Sequence, residues 1–264
     1  MDNFNVYKDI QARTKGEIYI GVVGPVRTGK STFIKRFMDV LVLPKMTDEH
    51  AKERTVDELP QSASGKSIMT TEPKFVPKEA AEIQLANDVS VLVRLIDCVG
   101  YMVEGAAGHM ENGAERLVKT PWNEKEIPFT KAAEIGTKKV IHDHSTIGIV
   151  VTTDGSIGEL PRNSYRAAEK KTIQELKSIG KPFVVLVNTR KPYSAEAKNV
   201  AEEIQKEYQV TALPVNCEQL KKDEAIAEAD TLLLTVPNQL GGDYNAHVIE
   251  SILKHVAPAM GWRE

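Results

Sequence analysis

The motif G-x-x-x-x-G-K-S, from Gly24 to Ser31, constrains the fold of this chain more than any other sequence feature. It follows the apolar run IYIGVV and precedes STFIKRFM, in which apolar residues recur at helical spacing. Glycines at both ends let the backbone wrap closely around a chain of phosphates, and a helix N-terminus adds amide donors and a favourable dipole. The motif therefore predicts a strand, a phosphate-binding loop and a helix in succession.

Each position of this loop has an expected role in holding a nucleoside triphosphate with magnesium. We expect Lys30 to reach the β- and γ-phosphates, and the hydroxyl of Ser31 to bind the metal ion. The loop backbone and the first helical turn are expected to line the phosphates. The loop residues predicted to bind nucleotide are Gly24, Pro25, Val26, Arg27, Thr28, Gly29, Lys30, Ser31 and Thr32.

A second motif, D-x-x-G from Asp97 to Gly100, ends the apolar run VSVLVRLIDCVG. A carboxylate at the end of a strand beside the phosphate-loop strand can hold a magnesium-bound water, and the glycine amide can contact the γ-phosphate. Ras-like enzymes place a water-orienting Gln directly after this glycine, whereas this chain has Tyr101. Tyrosine is a poor substitute, so we expect slow hydrolysis unless another group completes the site.

Two further positions carry open alternatives. A switch threonine that binds magnesium and senses the γ-phosphate is expected within KSIMTTEPKFVP, where Thr70 and Thr71 both qualify. Arg27 either stabilises charge on the γ-phosphate or pairs with a nearby carboxylate. The predicted metal ligands are thus Ser31, Asp97 and Thr70 or Thr71, and the predicted catalytic residues are Lys30, Asp97, Thr70, Thr71 and Arg27.

The base-reading motif departs from that of GTPases, which carry Asn-Lys-x-Asp and use the Asp to accept two hydrogen bonds from guanine. The run PFVVLVNTRKP places Asn188 after a buried strand, but Thr189 replaces the Lys and Lys191 replaces the Asp. Without the Asp that accepts both hydrogen bonds, a site should lose orders of magnitude in its discrimination of guanine from other bases, because the donors of bound guanine would stay unsatisfied. We therefore predict ATP rather than GTP; the alternative is that a residue elsewhere in the fold reads guanine.

Short apolar runs alternate with longer amphipathic segments, which is typical of a mostly parallel sheet with helices on both faces. The predicted class is an α/β P-loop NTPase of the translation-factor-related, GTPase-like type. Two long polar segments, 44–77 and 101–128, do not fit the alternation, and their length after nucleotide motifs suggests function. The pattern predicts strands over 18–23, 82–85, 89–96, 147–152, 183–188 and 211–215, and helices over 31–40, 129–142, 164–179, 194–208 and 246–255.

Composition narrows the choice of partner and compartment. The net charge of −3 over 264 residues provides no basic excess for a nucleic-acid partner. Cys98 and Cys217 show neither metal-ligand spacing nor a disulfide framework, which fits a reducing compartment. The polar N-terminus MDNFNVYKDIQARTKG does not resemble a secretory signal, and no run approaches the ~18 apolar residues of a transmembrane helix.

Together these residues resemble the stage IV sporulation protein A family, the coat morphogenetic ATPases of endospore-forming bacteria. The resemblance runs from about Tyr7 to about Lys222. It extends well outside the nucleotide motifs, so shared P-loop ancestry alone does not explain it. The matching stretches include GEIYIGVVGPVRTGKSTFIKRFM, DELPQSASGKSIMTTEPKFVP, LIDCVGY, GKPFVVLVN and TPWNEKEIPFTKAAEIGTKKVIHDHSTIGIVVTTDGSIGELPR.

The resemblance implies an ATPase, using ATP with magnesium, whose hydrolysis drives self-assembly into polymers that form the basement layer of the spore coat. Lys30 would bind phosphate, Asp97 would serve the magnesium site, and Thr70 or Thr71 would act as sensor. Implied partners are further copies of the chain, a small amphipathic membrane-adsorbed peptide and other coat proteins. The implied location is cytoplasmic, peripheral on the mother-cell side of the forespore outer membrane.

The expected domain organisation is a single P-loop ATPase domain over 1–264, without the middle and C-terminal domains of the family. A tail over about 223–264 does not match the family, and we expect it to form a terminal helix that covers the sheet.

Two other functions stay open at this point. A nucleotide-held scaffold with negligible turnover is favoured by Tyr101 in place of the Gln. A regulatory GTPase-like switch is opposed by the missing Asp.

Overall fold

The computed structural model describes residues 16–46, 48–60, 72–86, 89–106, 108–111, 113–158 and 160–220. The strands are β1 (Glu17–Val23), β2 (Lys74–Ala86), β3 (Val89–Asp97), β4 (Met110–Glu111), β5 (Ala114–Glu115), β6 (Leu117–Thr120), β7 (Asn123–Pro128), β8 (Ile147–Thr153), β9 (Phe183–Asn188) and β10 (Ala212–Val215). The α-helices are α1 (Lys30–Phe37), α2 (Glu49–Glu58), α3 (Phe129–Lys139), α4 (Arg162–Ser178) and α5 (Ala195–Tyr208).

A six-stranded sheet of order β10-β9-β8-β1-β3-β2 organises the chain. All neighbours are parallel except β2, which runs antiparallel to β3 at one edge. Every residue of β8 and β9 is buried, as expected of strands covered on both faces. Helix α1 packs Phe33 and Ile34 into the core on one face, whereas α4 and α5 contribute to the core on the other. The predicted α/β class with helices on both faces is confirmed.

Several elements differ in length from their predicted bounds. β2 is much longer than the predicted strand over 82–85, because it follows β3 along its length and absorbs a bulge between Val76 and Ala81. The helix predicted over 31–40 ends as α1 at Phe37 and continues as a π-helical turn, Met38–Val42. A similar turn, Val140–His144, follows α3. Buried apolar side chains in both turns keep the chain on the sheet after regular helix geometry ends.

The two segments that did not fit the sequence pattern contain short elements. Segment 44–77 carries α2, which begins after Asp48; the side chain of this N-cap accepts hydrogen bonds from the amides of His50 and Ala51 at 2.9 and 3.1 Å. Segment 101–128 carries two hairpins, β4–β5 and β6–β7. The predicted helix over 246–255 lies outside the described residues. Within the described part of the chain, no helix is long and apolar enough to cross a membrane.

The sheet topology gathers five loops at one edge. Because β1, β3, β8, β9 and β10 are parallel, their carboxyl ends point the same way, and ligands of open α/β sheets bind at that edge. The loop beginning at Gly24 follows β1, and Asp97 ends β3. Asn188 ends β9, so three sequence-predicted site elements arrive at the same place.

A buried ion pair fixes the start of α4 against the end of β8. The Arg162 guanidinium bonds both carboxylate oxygens of Glu169, at 2.6 and 2.9 Å. The hydroxyl of Thr152 on β8 donates to the same carboxylate at 2.6 Å. Glu169 is 1% exposed, so its charge depends on these partners.

We expect Arg162→Ala to lower the free energy of unfolding by about 3–5 kcal/mol, because it leaves a buried carboxylate without its cation. The matched control is Arg166→Ala on the next turn of α4. Arg166 is 44% exposed and lies 3.4 and 3.7 Å from Glu207 and Glu203, so its loss should cost less than about 1 kcal/mol. Urea unfolding of both variants measures the difference, and equal losses would contradict this role of the pair.

Candidate nucleotide-binding site

The loop between β1 and α1 has backbone angles that its glycines allow. Gly24 has φ +132°, and a Cβ there would lie 2.3 Å from the carbonyl oxygen of Val151 on β8. Gly29 has φ +93°, and a Cβ there would lie 2.3 Å from the side-chain nitrogen of Asn188. The loop is therefore packed directly on the ends of β8 and β9 at positions where a side chain does not fit.

Polar side chains hold the loop in this conformation. The hydroxyl of Thr28 donates to the carbonyl oxygens of Val151 and Pro25, at 2.7 and 3.0 Å. The side-chain amide of Asn188 donates to the carbonyl oxygen of Thr28 at 2.9 Å and accepts from the amide of Cys217 at 3.1 Å. Asn188 thus joins the phosphate loop to the loop after β10.

Lys30 lies at the first position of α1 and is 5% exposed. Its ammonium donates to the carbonyl oxygen of Pro25 at 2.6 Å. Burial lowers the pKa of Lys30, while Cys98 and Asp97 nearby act in the opposite direction. A buried ammonium with this environment is suited to an anionic ligand, whose charge would offset the cost of burial.

Ser31 and Asp97 come together at the adjoining ends of α1 and β3. The Ser31 hydroxyl donates to Oδ2 of Asp97 at 2.7 Å. Oδ1 of Asp97 is buried and has no hydrogen-bond partner among the described residues. Burial raises the pKa of Asp97, against the bond from Ser31 and the charge of Lys30. A hydroxyl and a carboxylate with a spare buried oxygen are the oxygen donors that magnesium prefers, so these residues fit that ion.

The backbone after D-x-x-G lies on the phosphate loop. Gly100 has φ +94°, and a Cβ there would lie 2.2 Å from the carbonyl oxygen of Gly24 and 2.6 Å from the Lys30 ammonium. The Tyr101 amide donates to the Gly24 carbonyl at 3.2 Å, and the Val26 amide donates to the Tyr101 carbonyl at 2.9 Å. Tyr101 itself is 3% exposed, and its hydroxyl donates to Glu175 on α4.

The loop after β9 turns Thr189 inward. Its hydroxyl donates to Oδ2 of Asp154 at 2.5 Å, and Oδ1 of the same carboxylate accepts from the amide and hydroxyl of Ser156, at 2.9 and 2.6 Å. Both oxygens of Asp154 are therefore engaged within the protein. Lys191, at the position of the guanine-reading Asp, is exposed.

The structure brings most of the predicted site residues together: the phosphate loop from Gly24 to Thr32, Asp97, Gly100 and Asn188. Arg27, half-buried with φ +60°, lies within the loop, and its role stays a prediction. The two candidate sensors, Thr70 and Thr71, lie outside the described residues.

Sequence reasoning missed the Asp154–Ser156–Thr189 network and the bond from Tyr101 to Glu175. The pair Asp154-Gly155, directly after a buried strand, was a usable signal for the network, because Asp at such a position commonly forms a local turn. The second joins residues 74 positions apart and has no local signature.

Comparison with known proteins gives a consistent assignment. The family model described as "Stage IV sporulation protein A, ATPase domain" matches residues 1–237. Stage IV sporulation protein A of Clostridioides difficile (strain 630) is 54% identical over 235 residues, covering 89% of this chain and 48% of that protein. The Bacillus subtilis (strain 168) protein of the same name is 47% identical over 237 residues, covering 90% of this chain and 48% of that protein. This chain thus spans about half the length of these relatives.

Among solved structures, a variant of SsGBP superposes with a TM-score of 0.46 at 14% identity, over 88% of this chain and 60% of that chain.

We expect Gly24→Ala to lower the free energy of unfolding by about 3 kcal/mol, because the new Cβ combines an unfavourable φ with a collision against β8. Gly113→Ala is the matched control: its φ is +79°, but a Cβ there meets no described heavy atom within 4 Å. The control should lose only about 1 kcal/mol, the cost of a left-handed backbone alone. Chemical denaturation compares the two, and equal costs would show that the loop does not need this close approach.

Proposed function

We propose that this chain, which belongs to the family of the ATPase domain of stage IV sporulation protein A, binds ATP with magnesium and hydrolyses its β–γ phosphoanhydride bond. The observation that carries the proposal is the contact between Ser31 and Asp97 at 2.7 Å beside the buried ammonium of Lys30. One end of the sheet thus supplies a cation for phosphate oxygens and two oxygen donors for a metal ion.

The chain's own residues have distinct tasks in this reaction. Lys30 exchanges its bond to Pro25 for bonds to the β- and γ-phosphates, and the first amides of α1 donate to phosphate oxygens. The Gly100 amide is proposed to donate to the γ-phosphate when nucleotide is bound, since the Gly100 backbone lies on the loop beside Lys30. Magnesium, held by Ser31, Asp97 and Thr70 or Thr71, would neutralise charge on the phosphates when bound.

The residues expected to face the nucleotide base favour ATP over GTP. Lys191 offers no acceptor for guanine, and the carboxylate of Asp154 uses both oxygens for Ser156 and Thr189. Guanine's two donors would therefore lack the unoccupied carboxylate that GTPases present to them, which penalises GTP. Asn188 keeps a positioning role, because it ties the phosphate loop to the loop after β10.

We further propose that hydrolysis drives self-assembly into the basement layer of the spore coat, on the mother-cell side of the forespore outer membrane. The support is the family, and the relatives of that name are about twice the length of this chain. The proposed partners are other copies, a small amphipathic membrane-adsorbed peptide and further coat proteins. ATP and ADP can shift an assembly equilibrium only through different contacts in the two states.

A second candidate function, a nucleotide-held scaffold, is favoured by one observation. The Tyr101 hydroxyl is bound to Glu175 on α4, so this side chain does not substitute for a water-orienting Gln. A scaffold would bind ATP at the same loop and order the same surfaces, with negligible turnover.

We expect Lys30→Ala to weaken ATP affinity by about a hundredfold or more, because several charge-assisted bonds to phosphate are lost. Asp97→Ala should weaken the magnesium dependence of binding and turnover. Lys35→Ala, an exposed lysine on the same helix, is the control and should bind as the wild type does. Titration with ATP, with and without magnesium, measures binding, and phosphate release measures hydrolysis. Unchanged binding and hydrolysis in the first two variants would contradict the assignment of the nucleotide site.

Base choice gives a separate prediction. Lys191→Asp restores a carboxylate at the guanine-reading position, so the affinity for GTP relative to ATP should rise by about tenfold or more. Arg190→Asp places the same charge on the neighbouring exposed residue and should leave the ratio unchanged. Competition between the unlabelled nucleotides measures the ratio. Wild-type protein that prefers GTP would show that another residue reads the base.

A further inference from the structure

Tyr101 contacts the phosphate loop through its backbone on both sides. Its amide donates to Gly24 at 3.2 Å, and its carbonyl accepts from Val26 at 2.9 Å. Gly100, the preceding residue, leaves no room for a Cβ against the same loop. The position of the Gly100 backbone on the phosphate loop is therefore set by where Tyr101 is held.

The side chain of Tyr101 is anchored on the helical layer. Its ring is 3% exposed and lies 4.5 Å from the Lys171 ammonium, and its hydroxyl donates to Glu175. Burial, then the bond to Glu175, raises the pKa of Tyr101 far above its ordinary value, so the hydroxyl keeps its proton and remains a donor.

The anchor belongs to a group of four charged residues that we term the α3–α4 charge cluster: Glu134, Lys138, Lys171 and Glu175. Lys138 lies 3.8 Å from Glu175 and 3.0 Å from Glu134, and Lys171 lies 2.8 Å from Glu134. Glu175 is only 19% exposed, whereas the other three are 39–45% exposed. Glu175 thus lies on α4 beside Lys138 of α3 and attaches Tyr101 to the helical layer.

We propose that Tyr101 is a positioning residue that holds the backbone of Gly100 and Tyr101 against the phosphate loop through the bond of its hydroxyl to Glu175. Any displacement of Gly100 must carry the Tyr101 backbone with it, and the bond to α4 opposes that displacement. Tyr101, which stands where Ras-like enzymes place a water-orienting Gln, then acts through its backbone and not through a bound water. The consequence for turnover rests on the proposed ATPase function; the positioning itself does not.

The first test measures amide hydrogen exchange in the full 264-residue chain without nucleotide. Tyr101→Phe keeps the ring and removes the hydroxyl, so exchange at the Val26 and Tyr101 amides should become about tenfold faster. Glu175→Leu should give the same change, and the double variant should add little to either. The control is Tyr208→Phe on α5, which removes the hydroxyl of another buried tyrosine and should leave exchange at both amides unchanged. Unchanged exchange at both amides in Tyr101→Phe and Glu175→Leu would overturn the positioning role.

The second test separates kcat from KM for ATP. Because the Gly100 amide is expected to act on charge that grows at the γ-phosphate, Tyr101→Phe should lower kcat about tenfold and change KM less than about twofold. Glu175→Gln keeps an acceptor for the hydroxyl and should retain most of the rate that Glu175→Leu loses. Altered exchange with unchanged kcat would overturn the catalytic consequence. A wild-type chain without turnover would refute the ATPase proposal, while the exchange measurement would still decide the positioning role.

Discussion

The parallel register between β1 and β3 is the constraint on which the site depends. Val22 pairs with Asp97, so the last residue of β3 stands beside the strand that leads into the phosphate loop. A slip of one residue would turn Asp97 to the other face of the sheet and separate it from Ser31. Beyond the strands, a parallel bridge between Pro25 and Tyr101, shifted by one residue from this register, joins the two nucleotide motifs through their backbones.

Two ionisable side chains at one end of the sheet, Lys30 and Asp97, lie in surroundings that disfavour their charged forms. Burial lowers the pKa of Lys30 and raises the pKa of Asp97, so each charged form is disfavoured by its surroundings. Oδ1 of Asp97 has no partner among the described residues. Groups that destabilise the protein in this way are expected where a ligand compensates them, and proteins commonly lose stability at such sites in exchange for function. The buried pair of Arg162 and Glu169, by contrast, is satisfied within the fold.

Sequence reasoning succeeded where the signal was local. The spacing of G-x-x-x-x-G-K-S specified a strand, a loop and a helix, and β1, α1 and the ends of β3 and β9 lie where the pattern placed them. It found only residues 82–85 of β2, because Pro77 and the charged residues that follow it interrupt the hydrophobic alternation. Helix α2 and the two hairpins are too short for periodicity to reveal. The bonds from Thr189 to Asp154 and from Tyr101 to Glu175 span 35 and 74 positions, and only the folded chain brings these partners together.

The most direct test of ATP hydrolysis at this site is phosphate release by the wild-type chain, with magnesium and a large molar excess of either ATP or GTP. We expect release from ATP to continue linearly through many equivalents per chain, and release from GTP to be much slower. Release of one equivalent or less from ATP would contradict turnover and identify a nucleotide-held scaffold. Faster release from GTP would contradict the ATP assignment derived from Lys191 and Asp154.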